Sequence, residues 1–262
     1  MTSDALQLTV HGPLAYITMT RPERRNAFNT TMWRALIDLC ETLRTDPNVK
    51  VVVLQSSSET AFCAGADISE FDRIRQSQSA ASENADLIEG AMAALQTLPR
   101  PTVALIDGTC FGGGAALALC CDFRLAGPTA RFAITPARLG LSYSVANVTR
   151  LVNVTGLQMA RRILMLADVL DANTALANNL VDQIAEDGQR AADLLPALQD
   201  RLTHLSQFSI RALKTNLQHC ADGLTRDTDA TRAAFIEAFA GADLNEGMTA
   251  FLEKRKPDFP YS

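Results

Sequence analysis

The stretch Thr102-Val103-Ala104-Leu105-Ile106-Asp107-Gly108, continued by Gly112-Gly113-Gly114-Ala115-Ala116-Leu117-Ala118-Leu119-Cys120, reads as a strand, a turn, a glycine loop and an apolar helix. A short apolar run bounded by Asp-Gly is the signature of a buried strand, and an apolar run opened by glycines suits a helix packed into a core. Upstream, Val49–Leu54 repeats the strand pattern, and Ser56–Ser58 begin a loop leading to Phe62-Cys63-Ala64-Gly65-Ala66-Asp67. Leu6–Val10 and Leu14–Met19 alternate apolar and polar residues around Gly12-Pro13, which predicts a hairpin. Thr30 and Thr31 are placed to cap a helix whose Met32, Leu36, Leu39, Cys40 and Leu43 recur at helical spacing. The small, polar run Ser77–Ser82 reads as a mobile connection into a helix that carries Leu87, Met92 and Leu95. From Ala191 onward the period is helical, broken by Pro196 and punctuated by Gly223 and Gly241. Strands alternating with helices, then helices alone, predict an α/β core over residues 1–195 and a helical C-terminal subdomain over 196–262.

Composition narrows the function classes. A chain of 262 residues has room for one substantial core, and 47% hydrophobic with 20% charged residues is ordinary globular composition. The formal charge of −5 argues against nucleic acid as a partner, because phosphate contacts need a basic surface. No run approaches the roughly 20 apolar residues of a membrane span. The polar stretch Met1–Leu8 lacks the basic-then-apolar order of an export signal, so a cytoplasmic, membrane-free protein is expected. The cysteines (Cys40, Cys63, Cys110, Cys120, Cys121, Cys220) sit mostly among apolar neighbours, as reduced thiols of a cytosolic protein do. His11, His204 and His219 are scattered and no Cys-x-x-Cys occurs, so no metal site is expected.

Two strand-to-loop transitions carry the chemistry. Ala64-Gly65-Ala66-Asp67 and Gly112-Gly113-Gly114-Ala115 are built of small residues that let a ligand approach main-chain N–H groups. The second also opens a helix, where unpaired N–H groups and the macrodipole favour a developing negative charge. Two such donors converging on one oxygen would stabilise an enolate or a tetrahedral oxyanion. Tight turns and close helix packing would call for the same glycines.

The order Arg21-Pro22-Glu23-Arg24-Arg25-Asn26-Ala27-Phe28-Asn29, Phe62–Asp67, Phe111–Gly114 with Cys121-Asp122, Leu139-Gly140, Glu246-Gly247-Met248 and Phe251–Pro257 resembles the enoyl-CoA hydratase/isomerase (crotonase) superfamily over nearly the whole chain. The resemblance implies a core of repeated ββα units and a helical C-terminal region used in homotrimers or hexamers built as pairs of trimers. It implies an acyl-CoA substrate, with coenzyme A as part of that substrate and no permanently bound cofactor. Ala66 and Gly113 fall on the family's two oxyanion positions. Ala64, Asp67 and Ile68 fall on the loop that lines the adenine and pantetheine of CoA. Arg24 falls where a basic residue approaches the CoA phosphates, and Phe251 and Lys254 match terminal-helix positions that complete the CoA pocket. Lys254-Arg255-Lys256 would equally suit an ordinary helix C-terminus. Asp67 is also placed to cap the segment after it, and Asp122 to anchor backbone groups. Glu70 and Asp72 would reach the acyl pocket only if their loop folded inward; solvation is the default.

Two positions depart from the family pattern. Its hydratases add water with two glutamates, and this chain carries Ala116 and Ala137 at the matching positions. A methyl group neither orients water nor moves a proton, and general acid–base work ordinarily contributes about 10²–10⁴-fold. Ordinary hydration is therefore not expected. Decarboxylation of a malonyl-type thioester needs the oxyanion hole without those bases, and neutral alanines spare the substrate's carboxylate from repulsion. The run Thr135-Pro136-Ala137-Arg138-Leu139-Gly140-Leu141-Ser142-Tyr143 resembles that of the family's methylmalonyl-CoA decarboxylases in its Thr-Pro, Leu-Gly and Tyr, although Ala66 stands where those enzymes have histidine. Tyr143 and Thr135 are then the polar side chains expected to face the acyl group, with Ser142, Ser144 and Asn147 behind them. A catalytically silent acyl-CoA-binding subunit would use the same two loops.

Overall fold

The computed structural model describes residues 4–259, so that Met1–Ser3 of the polar N-terminal stretch lie outside the described residues. Its strands are β1 (Leu6–His11), β2 (Leu14–Met19), β3 (Val51–Ser56), β4 (Ala61–Cys63), β5 (Thr102–Ile106), β6 (Thr109–Phe111), β7 (Phe123–Ala126), β8 (Arg131–Ala133), β9 (Leu170–Asp171) and β10 (Gln183–Ile184). The helices are α1 (Thr30–Thr45), α2 (Phe71–Ile74), α3 (Gln78–Gln96), α4 (Gly113–Cys120), α5 (Val145–Arg161), α6 (Ala172–Ala177), α7 (Leu195–Thr203), α8 (Gln207–Ala221), α9 (Asp229–Ala240) and α10 (Ala242–Glu253).

Two sheets share the strands, in the orders β1-β2-β3-β5-β7-β10 and β4-β6-β8-β9. Each repeat places its first strand in the large sheet and its second in the small one before a helix returns: β3-β4 precede α3, β5-β6 precede α4, and β7-β8 precede α5. This is the expected ββα repeat. The strand faces divide between two cores, because side chains alternate across a pleated sheet. Val52 and Leu54 join Ile17, Leu36 and Ala104 on one face, while Val51 and Val53 join Val103, Leu125 and Leu195 on the other.

Local chemistry moves three boundaries from their sequence expectations. Helix α1 is capped by Asn29, whose side chain accepts the Met32 N–H, rather than by Thr30 or Thr31. Residues 78–82 are helix and not a connection: Ser77 accepts the Ala80 N–H as cap, and Ser79 donates to Glu83 one turn on. Pro196 lies in the first turn of α7, where its missing N–H costs nothing, so it helps open that helix instead of breaking it.

After β10 the chain is helical. Helix α7 covers the outer face of the large sheet, and Lys214 of α8 donates to Asp122 at 2.7 Å and to the Arg100 carbonyl at 2.8 Å. Asp122 also accepts from the Thr102 N–H and hydroxyl, so it anchors backbone as expected and ties α8 to β5. Phe235, Phe239, Phe251 and Leu252 on α9 and α10 are exposed. No helix among the described residues is long and apolar enough to cross a membrane.

Candidate active site

The ends of β4 and β6 fix the site. These strands are parallel neighbours, with Cys63 opposite Cys110, so the loops that follow them leave the same end of the small sheet side by side. Glycine makes the approach possible. Gly65 has φ +112°, and a methyl on it would stand 3.2 Å from the Phe111 carbonyl and 3.4 Å from the Gly113 nitrogen. A methyl on Gly113 would stand 3.5 Å from the Ala66 nitrogen. The two amides predicted to share an oxygen are therefore neighbours, although they lie 47 residues apart in the chain.

Both donors are left unengaged by the backbone. Ala66 forms a parallel bridge with Phe28 in which the Phe28 N–H donates to Gly65 O and the Asp67 N–H donates to Phe28 O, each at 2.8 Å. That pattern turns the Ala66 N–H the other way. Gly113 is the first residue of α4, where an N–H has no intrahelical acceptor. Among the described residues neither amide has a hydrogen-bond partner. Gly112, in the left-handed region at φ 51°, makes the turn, and its N–H is held at 2.8 Å by Ala133 O of β8.

Tyr143 meets this loop. Its hydroxyl donates to the Gly112 carbonyl at 3.3 Å, and burial pushes the phenol far above its usual range. Thr135 is half-buried just before the 3₁₀ turn Pro136–Leu139, and its hydroxyl does not cap that turn. The two alanines differ: Ala116 is fully buried inside α4, whereas Ala137 is exposed on the turn. Ser144 caps α5, and the buried Asn147 accepts from Arg150 at 2.8 Å.

The acidic residues near the first loop have partners of their own. Asp67 accepts from the Ser69 hydroxyl and N–H and pairs with Arg21 at 3.0 Å. Those Ser69 hydrogen bonds, followed by Arg21, hold its carboxyl below the usual range. Glu70 accepts the Thr30 N–H and hydroxyl at the start of α1, and Asp72 pairs with Arg75 at the surface. Stability linked to a depressed carboxyl is present above its unfolded pKa and is lost as pH falls through its folded pKa. Asp67→Asn is thus expected to cost about 1–3 kcal/mol at neutral pH. Denaturant titrations should show the gap to wild type shrinking as pH falls through the depressed pKa; a pH-independent gap would contradict the pairing.

Sequence reading missed Arg21 and Arg150 as organisers. Arg21 also donates to Ala27 O, and Arg150 binds Glu89 and Gln96 across to α3, each at 2.8 Å. An arginine's partners lie far along the chain and leave no local signal. Ala64 is half-buried, and its N–H donates to Arg25 O at 2.9 Å, bringing the segment after Arg24 against the first loop. Arg24 itself is exposed, as is Ile68 just beyond Ala66. Phe251 is 82% exposed, and Lys254 ends α10 in the left-handed region at φ 55°. Among the described residues, neither has a hydrogen bond or ion pair to the two loops.

A sequence model of the family described as enoyl-CoA hydratase/isomerase matches residues 9–261. The chain is 32% identical over 255 residues to a crotonyl-CoA hydratase from Syntrophomonas wolfei, covering 94% of each protein. It is 29% identical over 253 residues to a short-chain-enoyl-CoA hydratase from Clostridium acetobutylicum, covering 95% of each. The solved structure of an enoyl-CoA hydratase/carnithine racemase from Magnetospirillum magneticum superposes with a TM-score of 0.93 at 31% identity, covering 100% of this chain and 97% of that one.

Proposed function

The chain belongs to the enoyl-CoA hydratase/isomerase family, and from that premise we propose that it decarboxylates a malonyl-type acyl-CoA through a thioester enolate. Acyl-CoA processing follows from the family; the choice of reaction rests on the site. The observation that carries it is the pair of unengaged amides at Ala66 and Gly113 beside loops whose carboxylates are committed elsewhere. Asp67, Glu70 and Asp72 have partners, and positions 116 and 137 are alanine, so water addition lacks its acid and base.

In the proposed reaction the thioester oxygen sits between the two N–H groups. The bond from Cα to the carboxylate breaks, CO₂ leaves, and the electron pair passes into the enolate. Negative charge gathers on the oxygen where two fixed donors and the N-terminus of α4 meet it. The Tyr143 hydroxyl, which otherwise donates to the Gly112 carbonyl of the second loop, is the proposed proton donor to Cα and would regain its proton from water. Thr135, whose hydroxyl does not cap the turn that follows it, is the residue proposed to orient the departing carboxylate. Coenzyme A enters only as part of the substrate in this scheme, with Arg24, Ala64, Asp67, Ile68, Phe251 and Lys254 proposed along its length.

Exposed Phe235, Phe239 and Phe251 support a trimer or pair of trimers, and the buried, free cysteines support a cytoplasmic setting. Mass spectrometry on methylmalonyl-CoA and crotonyl-CoA tests the reaction. Propionyl-CoA and CO₂ are expected from the first, with hydration of the second slower by about 10²–10⁴-fold. Rapid formation of 3-hydroxybutyryl-CoA would overturn the assignment.

A further inference from the structure

Cys63 is a fully buried thiol that the proposed chemistry does not use. It ends β4, one residue before the first loop. The Gly65 N–H donates to its sulfur at 3.4 Å, and its thiol donates to the Gly65 carbonyl at 3.7 Å. Desolvation pushes the thiol up to about 12, so the proton needed for the second contact stays in place. The same Gly65 carbonyl accepts the Phe28 N–H at 2.8 Å. That carbonyl and the Ala66 N–H belong to one planar peptide group, so fixing the oxygen fixes the direction in which the N–H points. Cys63 also bears on the second loop, since a methyl on Gly114 would lie 2.7 Å from the Cys63 Cβ. The thiol thus braces the peptide that carries the Ala66 donor, while the Cβ and backbone of the same residue lie against the helical turn that carries the Gly113 donor.

We infer that Cys63 is a positioning residue that sets the spacing and tilt of the Ala66 and Gly113 donors, an inference resting on the oxyanion reading above. A thiol suits the task because it donates and accepts at once while filling a buried volume without a charge. Misplacement of a reacting group by about 1 Å costs on the order of 10²-fold, so even a small rotation of this peptide matters.

The test uses the full-length protein and a CoA thioester of a conjugated aryl-acrylic acid, whose absorbance moves to the red as its carbonyl is polarised. Cys63→Val removes the donor and acceptor and adds one heavy atom; Cys63→Ala removes the sulfur with its volume and its polar contacts; Cys63→Ser keeps a donor and acceptor at nearly the same size. Wild type is expected to shift the probe. The Val and Ala proteins should lose about half of that shift or more, with Kd rising less than about threefold, and Ser should retain more of the shift than Val. A folded Val or Ala protein with the full shift would overturn the positioning role alone, whatever its Tm. No shift with wild type would overturn the oxyanion reading and this inference with it.

Discussion

Gly114→Ala is expected to leave little folded protein. The added carbon would collide with the Cys63 carbonyl oxygen and stand 2.7 Å from its Cβ and 3.0 Å from its carbonyl carbon. Those atoms are backbone or next to it, and no side-chain rotation relieves them. Helix α4 would have to lift off β4, yet both are pinned. Residues of β4 pair with β6, and Asn26, fully buried, donates to the Ala61 and Phe62 carbonyls at 3.2 and 3.1 Å. Overpacking of a core usually costs about 1–3 kcal/mol. A backbone collision inside a sheet-to-helix contact exceeds that and takes a large share of the roughly 5–15 kcal/mol that holds a domain together. Circular dichroism melts and the soluble yield check it. A Gly114→Ala protein with wild-type Tm would mean that α4 and β4 are not packed as described.

That contact also marks what could be read from the sequence and what could not. The segment from Thr102 to Cys120 is legible because its signals are local: an apolar run, then glycines, then an apolar run of helical length. Strands β4, β6 and β8 have three residues each, too few for alternation to show, and they exist through pairing with distant strands. The start of α3 was hidden because serine and alanine suit loops and helices alike, and only the Ser77 cap decides between them. Ala66 and Gly113 could be picked out from ordered motifs, but their adjacency depends on β4 and β6 lying parallel. Likewise Asp67 and Glu70 read as acidic residues near a site, and what removes them from the chemistry is Arg21 and Thr30, 46 and 40 residues away. Pairings of that span leave no periodic trace.

Gly113→Ala, one residue before the destabilising position, is expected to fold normally and lose its chemistry. Here the added carbon meets nothing closer than 3.5 Å, namely the Ala66 nitrogen and the Gly65 carbonyl carbon. That is ordinary van der Waals contact, and alanine narrows the unfolded chain's freedom where its backbone conformation is allowed, so stability should hold. Function should not survive so well. An oxyanion must lie about 2.7–3.1 Å from both donors. A methyl attached beside one donor and 3.5 Å from the other stands in the gap the oxygen has to enter. Loss of one such donor costs about 10²–10³ in kcat in a characterised case, and displacement of the oxygen weakens both. Turnover of methylmalonyl-CoA should therefore fall by about that factor or more, with Tm unchanged. The polarisation shift of the aryl-acrylic thioester should vanish in parallel, while the affinity for free CoA stays close to that of wild type, because free CoA has no thioester carbonyl to seat between the two donors. Such a result also separates an enzyme from a silent binding subunit. A binder would lose affinity for the thioester and have no rate to lose, whereas an enzyme loses its rate through a carbon that leaves the fold untouched. A Gly113→Ala protein with wild-type turnover would remove the Gly113 amide from the mechanism.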